Sequence, residues 1–241
     1  MKTLEKKIVK WLKAKMKEAG AKGLICGISG GVDSAVVAAL IKKSAGNNHL
    51  CLIMPCHSIE SDESDARLLA QKLSLNTEII DLTTAYDAFI KILPEGTGLA
   101  KANIKPRLRM ITLYYFANNL NYLVVGTGNK SESLMGYYTK FGDGGVDLLP
   151  LGSLLKRQVW ELAGHLSVPQ VIIDKAPSAG LWRGQTDEAE MGIIYKELDY
   201  ILEELEKGRK PKAAKEAVSK IKAKIKISSH KRSAPEIFKL K

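Results

Sequence analysis

A short run of buried-type residues, Leu24-Ile25-Cys26-Gly27-Ile28, leads straight into Ser29-Gly30-Gly31, and a helical pattern follows over Asp33 to Lys43. This strand, glycine turn and helix in succession constrain the fold more than any other feature, and the alternation continues. Leu50 to Met54 reads as a second strand stopped by Pro55, Asp62 to Leu73 as a helix, and Thr77 to Leu82 as a third strand. Helices are expected over about 84–92 and 106–119, with a strand at Tyr122 to Val125. Ahead of them Leu4, Ile8, Leu12 and Met16 recur at helical spacing among lysines, so residues 3–19 read as an amphipathic helix with Trp11 in its core. Gly20 to Gly23 break it. Strands alternating with helices predict an α/β fold with a mostly parallel sheet and helices on both faces.

The second half reads differently. Residues 126–151 are rich in Gly, Ser, Thr and Asp, and 174–186 form another irregular stretch. Loops of this length in a compact domain are usually functional or mobile. Helical patterns return at 153–166, where Trp160 reads as core, and at 187–206. The stretch Ile221 to Ile227 fits a strand by its alternation and a helix by Val218, Ile221 and Ile225, and sequence alone leaves it open.

At 241 residues, with no internal repeat or linker, the chain is expected to form one domain over 1–241. The longest apolar run, Ala35 to Ile41, is seven residues, far below a bilayer span, and the charged N-terminus has no secretory core. Cys26, Cys51 and Cys56 lack metal or disulfide spacing and read as structural, which predicts a cytoplasmic protein. The net charge is +11. Residues 207–241 hold 13 Lys/Arg against Glu216 and Glu236, while 1–206 balance 24 basic with 24 acidic groups. The body is thus no nucleic-acid surface by charge.

The chemistry centres on Gly27-Ile28-Ser29-Gly30-Gly31-Val32-Asp33-Ser34. Glycines at a strand-to-helix turn let several N–H groups face one anion, and the helix adds its positive end. No Gly-Lys-Ser/Thr follows, so this is not a Walker A loop. Asp33 stands where that loop has lysine, and beside phosphates a carboxylate makes sense as a ligand to a shared Mg²⁺. The bland alternative is a glycine turn with Asp33 as a helix cap.

The segment Ser29-Gly30-Gly31-Val32-Asp33-Ser34 resembles the pyrophosphate loop of the ATP pyrophosphatases, adenine-nucleotide alpha hydrolase-like enzymes that cleave ATP between its α and β phosphates. Further segments are similar to the NAD synthetases among them: Asn103 to Met110, Gly126 to Glu132, Gly136 to Asp147, Pro177 to Glu188 and His230-Lys231-Arg232. The resemblance implies ATP binding by residues 27–34 (Gly27, Ile28, Ser29, Gly30, Gly31, Val32, Asp33 and Ser34), with Thr127, Lys156 and Ser178. It implies Mg²⁺ on Asp33 and Glu132, and deamido-NAD on Arg107, Lys140, Asp147, His230 and Lys231. Lys156 would stabilise the departing pyrophosphate, and Asp143 would hold ammonium and take its proton. Asp147 is a second candidate for the ammonium. Glu132 could instead be a helix-start capping acid, Lys156 a solvated lysine, and His230-Lys231-Arg232 a solvated tail.

An NAD synthetase would adenylylate the nicotinate carboxylate of deamido-NAD with ATP, releasing pyrophosphate, then let ammonia expel AMP. Partners expected by resemblance are these small molecules and a second copy of the chain in a homodimer, with no membrane and no nucleic acid. Free ammonia is the expected donor, because only about 22 residues precede the first strand and no cysteine has a nucleophile-like setting. The competing readings are a tRNA-modifying member of the superfamily, disfavoured by cysteine spacing, and a nucleotide-binding regulator without catalysis.

Overall fold

The computed structural model describes residues 1–182 and 184–240. The first half runs α1 (Lys2–Glu18), β1 (Gly23–Gly27), α2 (Val32–Ala45), β2 (His49–Ile53), α3 (Glu60–Leu73) and β3 (Thr77–Ile79). It continues with α4 (Thr83–Lys91), α5 (Gly98–Ala102), α6 (Ile104–Leu120) and β4 (Tyr122–Val124). The second half holds α7 (Lys130–Met135), α8 (Lys156–His165), α9 (Gln170–Ile173), α10 (Asp187–Met191), α11 (Tyr195–Glu206) and α12 (Lys215–Ile227). A 3₁₀ turn, Ser228–Lys231, follows.

The strands form one parallel sheet in the order β3-β2-β1-β4, with Cys26 beside Cys51 and Ile25 beside Val124. Side chains along β1 alternate between two cores, as the pleat requires. Leu24 and Cys26 pack with Leu12, Val36, Leu40 and Leu162, on the side of α1, α2 and α8. Ile25 packs with Leu52, Leu113 and Ala117, under α6. Helices therefore cover both faces, as the sequence predicts. The apolar run Ala35–Ile41 is buried on all sides because α2 lies sandwiched among the sheet, α1 and α8. A third core joins α7, α11 and α12 through Met135, Tyr195, Leu198, Ile201 and Ile221.

This strand order positions the site. From β1 the chain crosses to β2 on one side, and β4 later pairs on the other. The loops leaving the carboxyl ends of β1 and β4 therefore diverge, opening the crevice where open α/β sheets bind ligands. Those loops carry Ser29 to Asp33 and Thr127 to Glu132.

Several sequence expectations need correction. The third strand stops at Ile79, three residues early. The expected helix at 187–206 is two helices, because Gly192 adopts φ 67° and ends α10. The helix expected from 153 starts at Lys156, the short helix α7 lies in the stretch 126–151 read as irregular, and α5 falls between expected elements. The open stretch 221–227 is helical, with Ile221 and Ile225 turned into the third core. Trp11 is not core: it lies beside the Leu4–Ile8–Leu12 stripe and is 38% exposed. Trp160 does pack edge-on against Tyr195, ring centres 5.9 Å apart. All three cysteines are free and buried, with Cys26 and Cys51 sulfurs 3.8 Å apart. No helix among the described residues is long and apolar enough to cross a membrane.

Gly30 is needed for its backbone. Its φ is +77°, and a Cβ there would lie 2.4 Å from the carbonyl oxygen of Asp62 in α3. Gly30→Ala is expected to cost about 1–3 kcal/mol of stability from the left-handed backbone alone. Thermal unfolding and ATP use should both report the loss, and an unchanged Tm would contradict the close approach.

Candidate active site

The phosphate loop is held by its own serines. Ser34 Oγ donates to Gly31 O at 2.8 Å and accepts from Ser29 N–H at 3.2 Å. Gly31 caps α2 without a side-chain acceptor, so the first N–H groups of α2 face the crevice with the positive end of a 14-residue helix behind them. Asp33 sits in the first turn of α2.

Across the crevice, Asn129 ends the β4 loop and caps α7 by accepting from Glu132 N–H at 3.0 Å. Its side-chain amide donates to Asp33 Oδ1 at 2.8 Å, so one fully buried residue joins the two loops. Glu132 Oε2 accepts from Asn129 N–H at 3.4 Å, which makes Glu132 the capping acid as well. Its Oε1 accepts from Lys156 at 3.0 Å.

Lys156 is the centre of this arrangement. It is 2% exposed, and its ammonium lies 2.5 Å from Asp33 Oδ2 and 4.9 Å from the centre of the Tyr195 ring. Burial alone would lower its pKa, but Asp33 and Glu132 outweigh burial and raise it, favouring the charged ammonium. Glu132 is shifted upward by burial, with Asp33 and Asp187 adding to the rise and Lys156 opposing it. The solvated-lysine alternative for Lys156 is excluded by its burial.

Asp33 and Glu132 thus converge on one point from two loops, offering hard oxygen donors suited to a phosphate-bound Mg²⁺. Among the described residues no group of three or more His, Cys, Asp or Glu converges on one point, so substrate oxygens would complete such a shell. Asp187, at the start of α10, is a carboxylate that sequence reasoning passed over. It is 3% exposed, its Oδ2 accepts from Tyr195 OH at 2.8 Å, and its Oδ1 has no partner among the described residues. Its motif was visible in sequence, but only the fold shows it beside Tyr195.

A second cluster lies along the Gly136–Asp147 loop. Lys140 Nζ donates to His230 O at 2.6 Å, and Arg107 donates to Lys140 O at 3.3 Å. Lys231 Nζ donates to Gly136 O and Tyr138 O at 2.7 and 2.8 Å. Arg232 reaches Ser133 O at 2.8 Å, satisfying a last-turn carbonyl of α7. Three of the positions expected to hold the dinucleotide are therefore joined in a chain from Arg107 through Lys140 to His230, and Lys231 reaches the same loop from the 3₁₀ turn. Asp143 is exposed, and its Oδ1 accepts from Thr139 N–H at 2.8 Å. Although part of the residue reaches solvent, the protein packed around its carboxyl raises its pKa, opposed by the Thr139 and Asp143 N–H groups and by the charges of Lys231 and Arg109. Asp147 is otherwise engaged: its oxygens accept from Tyr114 OH at 2.9 Å and Val124 N–H at 2.8 Å.

Thr127 borders the crevice, half-buried, and Ser178 lies exposed on the 174–186 loop, its Oγ accepting from Gly180 N–H at 3.1 Å. That loop is anchored at two places. Lys175 pairs with Asp62 and Asp65 of α3 at 2.8 and 2.5 Å, and the buried Lys105 donates to Leu181 O at 2.9 Å. Arg183, part of the expected motif, lies outside the described residues.

The parallel sheet, the anion-binding loop after β1 and the carboxylate pair beside it define an α/β enzyme of the ATP pyrophosphatase type. Comparison with known proteins narrows this. The NAD synthase family model matches residues 4–235, and the chain belongs to that family, whose curated members here are ligases. The NH(3)-dependent NAD(+) synthetase of Carboxydothermus hydrogenoformans is 52% identical over 96% of this chain and 95% of its own length. Among solved structures, NMN synthetase from Francisella tularensis has a TM-score of 0.92 at 40% identity, covering 99% of this chain and 98% of its own. NH3-dependent NAD synthetase from Campylobacter jejuni, in complex with the nitrate ion, has a TM-score of 0.86 at 30% identity, covering 99% of each chain.

Asp33→Ala and Glu132→Ala are each expected to abolish pyrophosphate release while the circular dichroism spectrum stays native. Near-normal turnover of either variant in saturating Mg²⁺ removes that residue from the site.

Proposed function

We propose that this chain amidates deamido-NAD with ammonia at the expense of ATP, and that Lys156, Asp33 and Glu132 form the centre of the ATP half-site. The observation that carries this reading is the buried ammonium held between two carboxylates beside an open helix N-terminus. A carboxylate cannot be amidated directly because oxide is a poor leaving group. The nicotinate carboxylate therefore attacks the α-phosphorus of ATP, the bond to the β-phosphate oxygen breaks, and pyrophosphate leaves. Ammonia then attacks the acyl carbon, loses a proton, and AMP departs. The α2 N-terminus and Ser29 bind phosphate oxygens, with Thr127 and Ser178 bordering the nucleotide. Lys156 offsets charge on the departing pyrophosphate. Asp33 and Glu132 would hold Mg²⁺, which supplies charge neutralisation to the phosphates.

Arg107, Lys140 and Lys231 supply the cations that a dinucleotide with two phosphates and a free carboxylate needs, and His230 adds an imidazole beside them. Asp143, exposed at that loop, takes the proton of ammonium, since only neutral ammonia is a nucleophile. With both oxygens of Asp147 engaged within the chain, Asp143 is the better placed of the two. Catalysis rests on positioning and electrostatics, with no covalent protein nucleophile. The chain acts as one domain in the cytoplasm, consistent with its three reduced, buried cysteines. It pairs as a homodimer through the apolar surface that α6 leaves exposed at Ile111 and Tyr115. The basic tail does not imply a nucleic-acid partner, because Lys231 and Arg232 turn inward onto backbone carbonyls.

A second reading is favoured by one observation: the high structural similarity to an NMN synthetase. Under it the acid substrate is the mononucleotide. Supplying ATP, Mg²⁺, ammonium and either deamido-NAD or nicotinic acid mononucleotide, and measuring the amide with AMP, decides between them. Higher kcat/KM for the mononucleotide overturns the dinucleotide assignment.

Two further outcomes are expected. The purified chain makes NAD with ammonium and almost none with glutamine, and equal rates with both, free of contaminating ammonia, contradict the donor. His230→Ala and Lys231→Met raise the KM for deamido-NAD by about tenfold while the KM for ATP stays near the wild-type value. A rise in the ATP value alone would place these residues on the wrong substrate.

A further inference from the structure

We propose that Asp199, acting with Ser131, is the positioning residue that sets the Glu132–Lys156 geometry, an inference that rests on the ATP-site reading above. Asp199 lies on α11, outside every segment that the sequence marks for function, and is 1% exposed. A buried carboxylate needs partners to offset its lost hydration. Its partners here are the starts of two other helices. Oδ2 accepts from Arg157 N–H at 2.8 Å, in the first turn of α8. Oδ1 accepts from Ser131 Oγ at 2.5 Å, in the first turn of α7. Ser131 Oγ in turn accepts from Lys156 N–H at 3.1 Å.

The need for this arrangement is set by sequence. The residue capping α8 is Leu155, whose side chain has no acceptor for the unpaired N–H groups of a first helical turn. Ser131 and Asp199 take over that task from two distant parts of the chain. The clamp thus binds the backbone N–H of Lys156 directly and holds the side chain of Ser131, the residue next to Glu132, so it ties together the neighbourhoods of the two side chains that meet in the ATP site. The negative charge also sits at two positive helix ends. One turn before Asp199 on α11, Tyr195 lays its ring under the Lys156 ammonium and its hydroxyl near Glu132 Oε1, at 3.3 Å. The backbone clamp and the side-chain floor thus come from one helix. A merely structural aspartate would secure α11; this one fixes a distance between two functional groups on α7 and α8.

The test uses Asp199→Asn, which keeps the shape but can offer only one acceptor oxygen, and Ser131→Ala, which removes the relay. In the full chain, both are expected to lower kcat for pyrophosphate release about tenfold or more per folded molecule, since a displacement near 1 Å can cost that much. The KM for deamido-NAD should stay within about twofold, because its cluster lies elsewhere. The double variant should be no worse than Asp199→Asn alone, as expected of two members of one relay. Independently of turnover, Mn²⁺ titrated with ATP and followed by electron paramagnetic resonance should bind several-fold more weakly to either variant. Normal kcat and normal Mn²⁺–ATP binding in folded Ser131→Ala overturn the proposal, as do independent, additive losses in the double variant. Should Asp199→Asn not fold, Ser131→Ala carries both readouts. Failure of the wild-type chain to release pyrophosphate would instead count against the proposed reaction, and the Mn²⁺–ATP titration would still judge the clamp.

Discussion

The ammonium of Lys156, buried between Asp33 and Glu132, is the interaction on which the rest of the structure depends. A lysine taken out of water is costly unless its charge is met at close range, and leaving such a group without its partners costs several kcal/mol, on the order of 3–5. Two carboxylates and an aromatic face meet it here. Because the carboxylates sit in the first turns of α2 and α7, just after the loops that leave β1 and β4, the pairing ties together the two walls of the crevice. Asn129 makes the same junction with a neutral side chain. The charge is therefore placed where the fold has a gap and where anionic substrate must enter.

The layered α/β architecture was legible in the sequence because its signals are local. A buried strand, glycines and a uniformly apolar helix leave few arrangements, and Leu24 to Ile41 carries all three. The phosphate loop was legible for the same reason. What escaped were elements decided by distant contacts. Residues 221–227 alternate like a strand, yet Ile221 and Ile225 find a core only as a helix against α7 and α11. The 187–206 pattern hid a break because Gly192 takes a left-handed turn, a choice that periodicity does not register. Trp11 reads as core within an amphipathic helix, yet its neighbour Leu12 takes the buried direction.

The site follows the same division. Asp33, Glu132 and Lys156 were readable from residue type beside recognisable turns. Asp187 lay inside the recognisable Pro177–Glu188 segment but only the fold brings it beside Tyr195, and a tyrosine on an amphipathic helix carries no distinctive spacing. The charge excess of the tail also needed the fold. Lys231 and Arg232 spend their hydrogen bonds on carbonyls of the α7 segment, so the last basic cluster is an internal brace for the substrate loop. The lysines of α12 remain on the surface, where they add positive potential.

The long sequence separations within the site bear on when it can form. Asp33 and Lys156 are 123 residues apart, Asn129 and Asp33 are 96, and Lys140 and His230 are 90. Contacts this distant carry a large loop-closure entropy and slow a folding reaction. The nascent β1–α2 unit can thus emerge from the ribosome with its anion-binding turn shaped but without its lysine, and α7 is braced only after Arg232 has been synthesised. Competence to turn over ATP arrives as one of the final events of folding, and a partly made chain holds no assembled centre in which to waste the nucleotide.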